Sequence, residues 1–170
     1  MLLRHAKADR PSGIGDHERP LTDRGRSDSA RMGAYMAAAG LVPDLAIVSS
    51  ARRAQETWTL ARPAFAADIV QRDDRRIYEA SAAAIAKAIG ETGAETSSLL
   101  LVGHNPGFHQ LALQLAGSGN LPDLARLRRE YPTAGLVVID CDAQSWRQLS
   151  NGEGRLELFA TPSSLGGLPE

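Results

Sequence analysis

The chain has 170 residues, 43% hydrophobic and 23% charged, with a formal net charge of -1 at neutral pH. That length suits one domain able to bury its own core, and the near-neutral balance excludes a general electrostatic binder of nucleic acid, so any anion recognition must be local. The single cysteine, Cys141, excludes an internal disulfide and a cysteine-rich metal centre.

Taken in order, Leu2-Leu3 is a short apolar lead into Arg4-His5. As a strand it is clipped, which suggests a natural start beyond Met1. No secretory pattern and no apolar run of membrane-spanning length is present, so the expectation is a cytoplasmic protein with no membrane partner. Asp16-His17-Glu18 fall in a polar stretch before Arg19-Pro20, a loop able to close over a substrate. Thr22 or Asp23 can cap a helix running to about Ala39, with Gly40 as its stop and Met32, Met36 and Ala39 on one face. Leu45 to Val48 reads as a buried strand leading into Ser49-Ser50-Ala51-Arg52-Arg53, and a helix from Ala51 to Ala61 ends before Pro63.

An alanine-rich helix covers Ser81 to about Ile89. Leu99 to Val102 is a further buried strand, ending in Gly103-His104-Asn105-Pro106-Gly107, where Pro106 opens a fourth helix. Beyond Ala134, the segments Leu136 to Ile139, Trp146 to Leu149 and Leu156 to Phe159 read as strands. The last ten residues, rich in Pro, Gly and Ser, read as a loose tail, which leaves 1–160 as a single domain.

Short unbroken apolar runs alternating with helices predict an α/β fold: a three-layer sandwich with a mostly parallel central sheet flanked by helices. Ligands of such sheets bind at the carboxyl ends of the strands. Here that edge carries Arg4, His5, Ser49, Arg53, His104 and Asn105. One such residue alone reads as a solvated loop residue, but several at the ends of successive buried strands read as a site. Guanidinium forks beside an imidazole suit a tetrahedral anion, because they bind phosphate oxygens in pairs and offset the charge that would repel a nucleophile. A neutral imidazole can then attack phosphorus and form a phosphohistidine, which water hydrolyses. By position alone either Arg52 or Arg53 can fill the second arginine place. Lys7 and Arg24 are candidate rim contacts for an anionic ligand.

Four ordered segments, Arg4-His5-Ala6-Lys7-Ala8, Arg19 to Gly25, Ser49 to Thr57 and Gly103 to Gly107, resemble the histidine phosphatase (phosphoglycerate-mutase-like) superfamily, and more narrowly its small SixA-type phosphohistidine phosphatases. The resemblance implies that His5 is the phosphorylated histidine, that Arg4 and Arg53 bind phosphate, and that His104 is the second histidine. It places Glu79, before a helix, where many members keep an acidic proton donor, although a solvated helix-start glutamate explains it equally well. No His-Glu-x-x-His pattern exists and His104 and His109 stand five apart, so no metal is expected, nor any cofactor; the favoured substrate is protein phosphohistidine, with a small phosphorylated metabolite as the alternative and a phosphate- or sulfate-like anion held in the site. A non-catalytic phosphate-binding module is a further alternative, although none of His5, His104 and the two arginines is missing. Cys141 and Arg147 are spaced as in cysteine phosphatases, but the intervening Asp142 to Trp146 lacks the glycines such a loop needs.

Overall fold

The computed structural model describes residues 1–166. One seven-stranded sheet is built from β1 (Leu2–Arg4), β2 (Leu45–Ser49), β3 (Val70–Asp74), β4 (Leu99–Gly103), β5 (Ala116–Gly119), β6 (Leu136–Asp140) and β7 (Gly154–Ala160). Its order is β3-β2-β4-β1-β6-β7-β5. The β3-β2-β4-β1 half is parallel, while β6 runs antiparallel to both β1 and β7. The helices are α1 (Asp23–Ala38), α2 (Arg52–Ala61), α3 (Ala82–Gly90), α4 (Gly107–Leu115) and α5 (Leu121–Arg129).

The apolar runs are unbroken because the strands are buried on both faces and successive side chains serve opposite layers. Leu3, Ala46, Val48, Leu100 and Val102 pack with Met32 and Met36 of α1 and Trp58 of α2. Their neighbours Leu2, Ile47, Leu99 and Leu101 pack with Ile85 of α3, Leu111 of α4 and Leu127 of α5. The expected three-layer sandwich is therefore present, with two helices on one face and three on the other. Thr22 and Ser81, at the starts of two expected helices, and Asn120, at the start of the unexpected α5, each accept from a backbone N–H of the helix they open.

Five elements differ from expectation, and two of them, β5 and α5, have no counterpart in the sequence reading. Trp146–Gln148 is a 3-10 turn, not a strand; the indole N–H of Trp146 donates to the Thr96 carbonyl (2.8 Å), anchoring a loop. The edge strand β3 reads Val-Gln-Arg-Asp-Asp, with no apolar run to announce it, as suits a strand at a sheet edge. Residues 161–166, expected to be loose, fold back on α1: Thr161 is buried, and Arg31 donates to the carbonyls of Pro162 (3.4 Å) and Gly166 (3.0 Å). The rest of the expected tail lies outside the described residues. No described helix is long and apolar enough to cross a membrane.

Candidate active site

At the carboxyl ends of β1, β2 and β4 lies a cleft of about 370 Å³. Arg4, His5, Lys7, Arg53, Glu79, His104 and Asn105 all line it. Arg24 does not: α1 turns it outward, where its Nε lies 3.5 Å from Asp28. Glu79 is exposed, and its φ of 48° is in the left-handed region that costs a non-glycine residue strain.

His5 follows the last residue of β1 and is buried. Its Nδ1 lies 2.7 Å from the Ala6 carbonyl, which can only accept, so Nδ1 carries the proton and Nε2 keeps its lone pair. The Nε–H of Arg53 donates to that lone pair at 3.3 Å. Burial, chiefly, and then the nearby Arg53, Arg4 and Arg19 push the imidazole pKa down to about 3, against the opposing pull of the Ala6 carbonyl. The ring is therefore a neutral nucleophile at neutral pH.

The His104 ring centroid lies 5.1 Å from that of His5. The hydroxyl of Ser49, fully buried, sits 2.7 Å from His104 Nε2, its one proton acceptor among the described residues. Ser49 therefore donates to the Nε2 lone pair, and His104 Nδ1, buried with no protein partner among the described residues, carries the single ring N–H of the neutral imidazole. Burial first, then His5 and Arg53, lower this histidine's pKa to about 3 as well.

Two other buried polar atoms at the site lack partners among the described residues, Nε of Arg4 and Oδ1 of Asn105. Both side chains are held from behind by the Tyr131 carbonyl, at 2.8 Å from Arg4 Nη1 and 2.9 Å from Asn105 Nδ2. Unpartnered N–H donors from Arg4 and His104, together with the guanidinium of Arg53, converge on a cleft beside a nucleophilic nitrogen. Such a donor set suits a tetrahedral oxyanion.

Sequence reasoning left out the groups that hold Arg53. Its Nη1 donates to the Asp16 carbonyl (2.7 Å) and its Nη2 to Asp16 Oδ2 (3.1 Å). Arg19 donates to Asp16 Oδ1 at 3.0 Å and the Tyr78 hydroxyl to Oδ2 at 2.7 Å. The Tyr78 bond, followed by those of the two arginines, drives the Asp16 carboxyl below the usual carboxylate range. Asp16 was readable only as part of a polar loop, and no local pattern in Ile77-Tyr78-Glu79 marks the tyrosine. Among the other histidines, His17 bonds Ser50 (2.9 Å) at the rim, and His109 bonds the Leu127 carbonyl, tying α4 to α5.

The model of the histidine phosphatase superfamily (branch 1) matches residues 1–81. The uncharacterized protein Rv1276c of Mycobacterium tuberculosis is 34% identical over 162 residues, which cover 94% of this chain and 99% of that one. The putative phosphohistidine phosphatase SixA from Agrobacterium tumefaciens is 29% identical, with a TM-score of 0.78 over 95% of this chain and 96% of that chain. The protein histidine phosphatase SixA complexed with tungstate shares the fold, at a TM-score of 0.75 and 18% identity, with 96% and 97% of the two chains covered. The chain belongs to the histidine phosphatase superfamily, and among solved structures it is similar to SixA. That membership supports a phosphatase.

Proposed function

We propose that the protein removes phosphoryl groups through a covalent intermediate on His5, with protein phosphohistidine as its favoured substrate. One observation carries the mechanism: His5 Nε2, a buried and neutral imidazole nitrogen whose tautomer is fixed by the Ala6 carbonyl, faces the same cleft as Arg4, Arg53 and His104. A phosphoryl group entering there takes the donors of Arg4, Arg53 and His104 Nδ1 on its oxygens. Arg53 Nε–H turns from the nucleophile to the anion. Nε2 attacks phosphorus, the bond to the leaving group breaks, and that group departs with the bonding pair and gains a proton. Water then attacks phospho-His5, releasing phosphate and returning the lone pair to Nε2.

The leaving group separates the substrates. An alkoxide has a conjugate acid near that of water, with a pKa of ~16, so a proton donor matters greatly. An imidazole leaves with a reference pKa of about 6.5 and needs much less help. The candidate donor Glu79 is exposed at the cleft rim and not buried beside the histidines, which favours the N–P substrate. Exposed Lys7 and Arg10 on the same rim suit an acidic phosphoprotein surface. That Glu79 does line the cleft also gives small phosphate esters a route, and they are the second reading.

The test compares hydrolysis of a phosphohistidine protein, a sugar phosphate and an aryl phosphate by the parent protein, His5→Ala and Glu79→Gln. His5→Ala should fold and turn over none of them. Glu79→Gln should lose ester hydrolysis more than phosphohistidine hydrolysis. Sugar phosphate hydrolysed faster than phosphohistidine would reverse the substrate assignment, and an active His5→Ala would remove the mechanism.

A further inference from the structure

Tyr78 is a half-buried aromatic that joins none of the apolar clusters among the described residues. Nor is it among the residues that line the cleft. Its neighbours are the side chains that do. The ring meets that of His104 edge-to-face, with centroids 5.4 Å apart and planes at 79°. The guanidinium carbon of Arg53 lies over the same ring, 5.8 Å from its centroid. The hydroxyl donates to Asp16 Oδ2 at 2.7 Å, the oxygen that also accepts from Arg53 Nη2. His17, next to Asp16, closes the far side, its ring 4.9 Å from that of Tyr78 at 84°. Tyr78, Asp16 and Arg53 thus form a closed circuit of hydroxyl, carboxylate, guanidinium and aromatic face.

The backbone explains how a loop residue is held so firmly. Tyr78 ends a 3-10 turn, Arg75–Ile77, capped by Asp74, and donates its own N–H to the Arg75 carbonyl at 3.1 Å. The chain then passes through the left-handed Glu79 into α3. Burial, chiefly, and then the Asp16 carboxylate hold the phenol above its ordinary range, so it stays a donor at neutral pH.

We infer that Tyr78 is a positioning residue for phosphoryl transfer: its ring sets the planes of His104 and Arg53, and its hydroxyl restrains the Asp16 carboxylate that competes with substrate for Arg53. This rests on the phosphatase reading of the cleft. The two halves of the side chain do different work. The hydroxyl shares the negative charge of Asp16 Oδ2. Without it, that oxygen leans more on Arg53 and holds the guanidinium away from an incoming phosphate. The ring fixes His104, whose Nδ1–H must meet a transferring oxygen, and small misplacements there act on the chemical step.

The experiment uses Tyr78→Phe and Tyr78→Leu in the full chain, with kcat on an aryl phosphate and, separately, binding of inorganic phosphate by calorimetry. Tyr78→Phe keeps the ring and should hold kcat within a few-fold of the parent while phosphate binds about tenfold more weakly, as expected for a lost bond to a charged group. Tyr78→Leu should lower kcat on the order of 10- to 100-fold, with thermal unfolding confirming a folded protein. A tyrosine that merely packs the loop would leave both quantities at the parent level, or lower activity only in step with the folded fraction, and either result overturns the inference. Phosphate binding needs no turnover, so a parent that binds phosphate but hydrolyses nothing would sink the phosphatase reading while the Tyr78→Phe binding shift still reports on the positioning role.

Discussion

His5 and His104 are two imidazoles held neutral by a buried, arginine-rich setting. Each has a folded pKa of about 3, against an unfolded value of about 6.5. Between those values the unfolded chain binds more protons, so stability rises with pH across the window and is lost as pH falls through it. The stabilisation from carboxylates with depressed values, such as Asp16 and Asp74, is fully present above their unfolded range and is lost only further down, as pH falls below it. Stability measured by urea unfolding should therefore already fall between pH 7 and pH 5, while NMR of the folded protein shows both rings unprotonated there. A flat stability over that interval, or a ring that titrates near 6.5, would contradict the buried-neutral description. The residues legible in the sequence were those that end apolar runs, Arg4, His5, Arg53 and His104, because a buried strand aims its last residues at the sheet edge. Asp16 and Tyr78 were not, since both sit in polar segments that only tertiary packing brings to Arg53. Arg24 was misplaced because a helix has a far side.

Among the elements, two glycines of α1 separate positioning from packing. A Cβ on Gly25 would sit 2.1 Å from the Lys7 carbonyl oxygen. That carbonyl accepts from the N–H (2.9 Å) and the hydroxyl (3.2 Å) of Thr22, so the N-cap of α1 clamps the Lys7–Ala8 peptide, next to Ala6, whose own carbonyl fixes the His5 tautomer. A Cβ on Gly33 would instead meet the Ala61 carbonyl at 2.2 Å, at the end of α2 away from Arg53. Both changes overpack and should cost about 1–3 kcal/mol. Gly25→Ala should also lower kcat well beyond its loss of folded protein, whereas folded Gly33→Ala should keep it. Equal kcat for the two, with melting temperatures measured alongside, would show that the clamp does not act on His5. The Arg19 to Gly25 segment, recognisable in sequence only by resemblance, thereby gains a physical role. The strand expected at Trp146 to Leu149 failed because large apolar residues also anchor a loop, as the Trp146–Thr96 bond does here.

Across the whole molecule, the strand order sets β2, β4 and β1 side by side and parallel, so three segments far apart in sequence deliver Arg53, His104 and His5 to one cleft. This half of the sheet was legible because double burial leaves continuous apolar runs. The β5-β7-β6 side was less so: β5 is Ala-Gly-Ser-Gly and carries no hydrophobic pattern. The near-neutral chain keeps its cationic character local, in a cleft whose lining carries Arg4, Lys7, Arg10, Arg19 and Arg53 against Asp16 and Glu79. The most direct test of the central claim is to mix the protein with a phosphohistidine protein or an aryl phosphate, quench in alkaline denaturant, and locate the phosphoryl group by mass spectrometry. A transient phosphoryl group on His5, absent in His5→Ala, is the expected result. Turnover with no adduct on His5, or with the group on another residue, would contradict it.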